Sequence, residues 1–435
     1  MKTVVIGSGA AGISAAYHLK KKGGNPVVFE KNADWGGLCG NFTLDGFRFD
    51  RFVHFTFADD PYIADLFAKS SPLYAHPPVS YNYWRGYWLK HPAQNNLAAL
   101  PVEEKVKIID GFVNRPKKDV SEIKNYAEWL RVQYGDYFAE NFPFAYTRKY
   151  WGKEAAELET KWVGNRLHVS PLPEVLRGAF EEQKENFYYT KFMNYPKKNG
   201  FRSILDDCRK GLDIRFNKRA VKIDTAAKKV FFEDGTAENY DNLISSAPLP
   251  EVVKMLDVPA EVKKAAENLH WTCGYQVSLG FNRPDVAKHL WFYIYDEDVP
   301  PARVYSPNLK SPDNAPDGCS SLQAEIFFAN DAAIPDKAEI LEKTVEKLKR
   351  ICGFDDKDVV VKDIRFEKYG NIIFTPDIYE NRKVVRDFLT ANGVVTIGRF
   401  GEWGYLWSHQ AFKSGINADK EKQAGKNLIC PILKF

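Results

Sequence analysis

Apolar and polar positions follow two different rhythms along this chain, and the changes of rhythm divide it. Residues 2–6 form a short run that is apolar from Val4 to Ile6, as expected of a strand buried on both faces. A glycine-rich hexapeptide at 7–12 follows, and apolar positions then recur with helical spacing as far as Lys22. A second run, 26–30, ends on an acidic residue. Strand, tight turn, helix and strand in so short a stretch predict a βαβ unit with parallel strands. Beyond residue 61 the pattern turns helical and rich in Trp and Tyr, with helices expected at 102–112, 122–133 and 172–186. Alternation of period two returns at 213–216, 220–224 and 229–232, with a turn at Asp234-Gly235, and predicts a small antiparallel unit. Residues 243–246 read as another buried strand, closed by Ala247-Pro248. A second antiparallel set is expected at 275–281, 291–295, 302–305, 321–328 and 359–366, with a helix at 337–351 between the last two. This sheet could floor a substrate pocket. A strand at 394–397 and a helix at 408–426 then return the chain to its first domain.

The expected class is therefore α/β: a Rossmann-like nucleotide-binding domain assembled from 1–60, 200–255 and 380–430, an inserted, mainly helical domain at 61–190, and an antiparallel-sheet substrate domain at 256–379. A length of 435 residues suits several cores rather than one. Composition excludes more than it assigns. With 44% hydrophobic and 27% charged residues, and no apolar run of membrane-spanning length, the chain reads as an ordinary globular protein of the cytoplasm. Basic residues exceed acidic ones by four and are scattered, which argues against a nucleic-acid partner. The six cysteines never form a C-x-x-C pair, so neither a disulfide framework nor a metal site is expected.

Candidate chemistry begins at the hexapeptide. Gly7 permits the tight turn, Gly9 lets the backbone approach a diphosphate, and Gly12 allows close packing of helix on strand, while Ala10 and Ala11 open the helix whose N-terminus favours the negative charge. Glu30 falls eighteen residues after Gly12, where a carboxylate can accept hydrogen bonds from a ribose. This fingerprint alone does not separate FAD from NAD. Glu30-Lys31 followed by Gly36-Gly37, however, resembles the extension found in FAD-containing amine oxidases and their relatives, as does the late pair Gly398-Arg399. The resemblance implies FAD as cofactor, with Val221 and Gln410 as further contacts.

Four more segments narrow the resemblance. Trp84-Arg85-Gly86-Tyr87-Trp88 with His91 to Asn96, the segment Trp162 to Arg166, Trp291-Phe292-Tyr293 with Pro300 and Arg303, and Gly398 to Trp403 with Tyr405 and Gln410 are similar, in order, to motifs of eukaryotic-type UDP-galactopyranose mutases. Such an enzyme interconverts pyranose and furanose forms of a UDP-sugar, with reduced flavin as nucleophile rather than electron carrier. The resemblance implies a nucleotide-sugar substrate, UDP-galactose first among them, and NAD(P)H among the reductants that could serve it. It makes His54, Arg166 and Arg303 catalytic, and places Arg85, Gln94, Asn95, Tyr293 and Tyr405 against the substrate. Paired arginines suit a buried diphosphate, because each guanidinium offers a fork of charge-assisted donors. Taken singly, each of these arginines reads first as an ion-pair former, Gln94 and Asn95 read equally as structural amides, and His54 has the alternative of a core histidine.

The chain departs from the family pattern twice. Phe52-Val53 precedes His54 where the family carries two glycines, and Phe374 precedes Thr375-Pro376 where a second diphosphate tyrosine is expected. A redox flavoenzyme of the amine oxidase or protoporphyrinogen oxidase type is the alternative on the same scaffold.

Overall fold

The computed structural model describes the chain except Asn165, Tyr188, Tyr189 and residues 425–435. Five parallel strands form the first sheet, in the order Val394–Thr396, Asn242–Ser245, Lys2–Ile6, Asn25–Phe29 and Asp213–Arg215. Val4, Val5, Val28 and Ile244 are all nearly inaccessible, as the unbroken apolar runs require of strands covered on both faces. One face carries the helices Ala10–Lys21 and Ser408–Ala424, whose axes meet at Gly415, where a Cβ would lie 2.3 Å from the Ala11 carbonyl oxygen. The other face lies against the three-stranded antiparallel sheet Ala220–Asp224, Lys229–Phe232 and Ala237–Asn239, with Phe29 stacked on Phe232. Residues 213–215 thus pair in parallel with the second strand and belong to the nucleotide-binding sheet, not to the small antiparallel unit expected for them. The predicted closing helix is described to Ala424, and its last two residues lie outside the described part of the chain.

A seven-stranded sheet forms the second layer, in the order Val359–Ile372, Trp271–Phe281, Ser320–Ala329, Arg303–Tyr305, Trp291–Ile294, Tyr81–Trp84 and Tyr87–Lys90. Its last two strands come from the segment read as helical, and they form a hairpin turning at Arg85 and Gly86, both with positive φ. Val277, Leu279, Leu322, Ala324 and Ile326 point to one face, where they pack against Ile340, Val345 and Leu348 of the helix Lys337–Cys352. By the two-residue period of a strand, Gln276, Ser278, Gln323 and Glu325 point to the other face, yet all four are fully buried. That face, with Trp291, Tyr293, Arg303 and Phe327, looks into the interior between the two sheets.

Two expected helices are shorter than their apolar periodicity. One runs Tyr126–Tyr134, starting where the Asn125 side chain accepts the Glu128 N–H, and the other ends at Phe180. A further helical stretch was not legible as such: Asp136–Ala139, a π turn at Glu140–Phe144 containing Pro143, and Ala145–Trp151 run on without a break. Proline lacks the N–H that an α turn needs, and the widened turn accommodates it.

Candidate active site

A cavity of about 880 Å³ opens between the two sheets, bounded at one end by the glycine-rich turn and at the other by the polar face of the seven-stranded sheet. That is the upper part of the range for small-molecule sites. Of the residues singled out in the sequence, Gly7, Gly9, Ala10, Ala11, Glu30, Lys31, Gly36, Gly37, Val221, Gly398 and Arg399 line it, together with His54, Arg166, Arg303, Tyr293 and Tyr405.

The nucleotide end is built by close backbone approach. A Cβ on Gly12 would lie 1.9 Å from the Gly7 carbonyl oxygen, so Gly12 stands behind the turn and closes it rather than lining the cavity. Gly36 has a φ of 106°, donates its N–H to the Ser8 carbonyl, and brings Gly37 so near that a Cβ there would be 3.2 Å from the Gly9 Cα. Glu30 is buried, and its two oxygens accept from the Ser8 N–H and hydroxyl and from the Asn32 N–H and side-chain amide, all at 2.8–3.0 Å. It therefore ties the turn to the end of the second strand. Gly398, with a φ of 79°, sits where a Cβ would come within 2.7 Å of the Ala11 Cβ. The narrow, Cβ-free channel and the unpartnered Ser408 hydroxyl on its wall fit an extended, diphosphate-bearing cofactor.

Positive charge dominates the opposite end. Tyr405 lies between two guanidinium groups, with the Arg166 Cζ 4.6 Å and the Arg399 Cζ 4.8 Å from its ring centroid. Arg166 donates to the Trp162 carbonyl at 2.5 Å, and Arg399 donates to the Leu406 carbonyl at 3.1 Å and to Asn371 Oδ1 at 2.9 Å. No carboxylate among the described residues forms an ion pair with Arg399, and its Nε has no hydrogen-bond partner. Arg303 differs. Its Nε and Nη2 reach Glu325 Oε2 at 2.7 and 2.5 Å, while Glu325 Oε1 accepts the Val53 N–H at 2.6 Å. The buried carboxylate thus holds an arginine and a loop at once; burial by itself would lower the Arg303 pKa, but Glu325 together with Tyr150, Tyr146 and Tyr293 more than offsets it, and the guanidinium stays protonated.

The loop before His54 is fastened rather than free. Phe52 takes a φ of 60°, the left-handed conformation in which glycine was expected, and its ring stacks on Phe327 at 5.3 Å. Its N–H donates to Gln276 Oε1 at 2.5 Å. His54 stacks on Phe201 at 4.9 Å, and burial pushes its pKa down to about 4, so the imidazole is neutral at ordinary pH.

Five sequence assignments fall elsewhere. Arg85 sits at the hairpin tip with its guanidinium over Trp84 and its Nη2 on Asn141, because the two strands it joins end at the sheet edge. Gln94 donates to the His168 carbonyl, and Asn95 is held by Glu174 and Ser170, so both amides satisfy buried neighbours away from the cavity. Gln410 accepts the Trp407 N–H at 3.0 Å and so caps the last helix, and Gly12 packs as described. Conversely, Tyr146, Tyr150 and Asn371 line the cavity without having been named. Tyr146 and Tyr150 stand on the helix that Pro143 obscures, and no pattern of spacing marks Asn371 near the end of its long strand.

Residues 10–418 match the family described as flavin containing amine oxidoreductase. Among solved structures, a reduced UDP-galactopyranose mutase superposes with a TM-score of 0.91 at 22% identity, covering 100% of this chain and 97% of that one. A putative protoporphyrinogen oxidase from Exiguobacterium sp. 255-15 follows with a TM-score of 0.74 at 17% identity, covering 97% and 99%. Cyclohexylamine oxidase from Brevibacterium oxydans IH-35A gives 0.69 at 15% identity over the same shares. At such identities these likenesses speak for the fold. Curated relatives match over a short segment: a 1-hydroxycarotenoid 3,4-desaturase of Flavobacterium sp. (strain P99-3) is 53% identical over 49 residues, 11% of this chain and 10% of that protein. A 4,4'-diapophytoene desaturase of Staphylococcus haemolyticus is 44% identical over 50 residues, 12% of this chain and 10% of its own length. The match thus spans about a tenth of each of these relatives.

Proposed function

The chain belongs to the flavin containing amine oxidoreductase family, its cofactor is FAD, and from that premise we propose that it is a mutase interconverting the pyranose and furanose forms of a UDP-sugar, UDP-galactose first among the candidates. The observation that carries this reading is the convergence of Arg166, Arg303 and Arg399 on one cavity that also opens onto the glycine-rich turn. Guanidinium groups gathered there offer charge-assisted hydrogen bonds that suit a diphosphate better than an ammonium or a hydrocarbon substrate. Gly7, Gly9, Gly36 and Gly37 would hold the FAD diphosphate and Gly398 its ring end. Reduced FAD, when bound, supplies the nucleophile that the anomeric carbon requires.

The chain's own residues do the rest. Arg303, oriented by Glu325, and Arg166, oriented by the Trp162 carbonyl, grip the diphosphate and take up the charge of the departing UDP. Tyr405 sits between Arg166 and Arg399 and adds its hydroxyl to the grip, and Tyr293 borders the space left for the nucleoside. Neutral His54, stacked on Phe201, fills the cofactor side without placing a second positive charge there. The apolar surround of Phe327, Trp151 and Trp162 lowers the local dielectric and strengthens each of these contacts.

The test is to incubate dithionite-reduced protein with a panel of UDP-sugars and to separate the products by chromatography. The expected result is interconversion of the two ring forms of a UDP-hexose, lost in Arg303→Ala while the flavin is retained. Absence of UDP affinity in both redox states would overturn the reading. Steady peroxide release with an amine or porphyrinogen would favour an oxidoreductase.

A further inference from the structure

We infer that the hydroxyl of Tyr150 is a further donor to the substrate's diphosphate, beside Arg166, Arg303 and Tyr405, supplying from a helix the hydrogen bond that Phe374 cannot make. This deepens the mutase reading and rests on it. Phe374 is buried behind the cavity wall, with its ring against Trp162 and Tyr405 and its carbonyl taken by the Glu159 N–H. It offers no polar atom to a ligand. Tyr150 stands one turn after Tyr146 on the helix Ala145–Trp151, with the two rings stacked at 5.4 Å, and it lines the cavity.

Its position lies between the two halves of the cationic wall. On one side the Arg303 Cζ is 5.7 Å from the Tyr150 ring centroid. On the other the hydroxyl donates to Asn371 Oδ1 at 3.0 Å, and the same oxygen accepts Arg399 Nη2 at 2.9 Å. One amide oxygen therefore carries two donors. When an anion arrives, the hydroxyl can turn to it while Arg399 keeps Asn371 in place, so no buried acceptor is left unsatisfied. Burial raises the pKa of Tyr150, Tyr405 nearby acts in the same sense, and Arg303 and Arg399 act against it. The group stays protonated and can only donate toward an anion.

The experiment compares wild-type, Tyr150→Phe and Arg303→Ala proteins, each loaded with FAD and reduced by dithionite, in calorimetric titrations with UDP and with uridine. Flavin content and thermal midpoint are recorded for each, so that a folding defect is visible. If the hydroxyl meets the diphosphate, Tyr150→Phe weakens UDP roughly 10-fold, the size of a lost hydrogen bond to a charged group, and leaves uridine unchanged. Equal weakening of both ligands, or UDP affinity within about twofold of wild type, overturns the Tyr150 inference. If Arg303→Ala still weakens UDP in that case, the mutase reading stands without it. If the wild type itself does not bind UDP, both fall together.

Discussion

Glu325 is the residue whose removal should be felt in two places at once. It is fully buried, it holds Arg303 through two nitrogens, and it accepts the Val53 N–H. Breaking a buried ion pair by removing one partner typically costs about 3–5 kcal/mol, because the remaining charge is left uncompensated. The Arg303 side chain keeps 19% of its surface toward the cavity, where water can replace part of what is lost, which reduces the figure to about 2–4 kcal/mol. Stranding the Val53 N–H adds about 1 kcal/mol at the lower end of the range for an unsatisfied buried donor. Glu325→Ala should therefore lower stability by about 3–5 kcal/mol in total. Glu325→Gln retains a neutral acceptor and should lose about half as much. In Arg303→Met with Glu325→Leu neither charge remains, and the double variant should be more stable than the two single losses added together predict, by about 2 kcal/mol. The assay is urea unfolding of the FAD-loaded proteins, followed by tryptophan fluorescence. Additivity of the single changes to within about 0.5 kcal/mol would refute the idea that this carboxylate and this guanidinium are one unit.

Four other expectations are independent of that cycle. Gly12→Ala places a methyl 1.9 Å from the Gly7 carbonyl oxygen and should yield protein that purifies without bound flavin, as absorbance spectra will show. Arg85→Ala, at the hairpin tip, should leave UDP affinity within about twofold of wild type by calorimetry, as for a surface change remote from the ligand. Phe52→Gly relieves a left-handed conformation that costs about 1–2 kcal/mol but removes a buried ring whose loss costs more. The net effect should be a destabilisation of roughly 2 kcal/mol in urea, and a gain in stability would show that strain dominates this loop. Burial holds the pKa of His409 down at about 4, below its unfolded value of 6.5. Between those values the unfolded chain binds a proton that the folded one does not, so stability rises with pH through this window and is lost as pH falls. Unfolding midpoints at pH 5 and pH 7 should differ less in His409→Gln than in wild type.

Local rules made the nucleotide end of the site readable. A turn that excludes Cβ atoms must be written in glycine, and the buried parallel strands of such a sheet must be written in valine and isoleucine. The cationic end depends on contacts between distant parts of the chain. Arg303 and Glu325 face each other because their strands pair in that register, and no spacing in sequence reveals it. Arg85 was misplaced because its neighbours share motifs with ligand-binding segments, while pairing of Tyr81–Trp84 beside Trp291–Ile294 carries it to the sheet edge. The helix bearing Tyr150 was hidden by Pro143, which breaks the expected period even though a π turn lets the backbone run on. Phe52-Val53 stands where the family carries two glycines before His54. The structure adds that Phe52 takes up the glycine-like conformation and that both N–H groups there are bound by side chains of the sheet below.

The strand order of the nucleotide-binding sheet has a consequence for how the protein is made. Of the five strands Lys2–Ile6 is made before the others and soon finds Asn25–Phe29, but its other neighbour is Asn242–Ser245, and Val394–Thr396 completes that side. Until Asn242–Ser245 has been made, one edge of that strand therefore stays open, a surface that invites pairing with other nascent chains. Gly398 meets Ala11 only once all five strands have been made, so the cofactor cradle closes after its sheet does, and a polypeptide halted before residue 394 has no closed place in which to hold it.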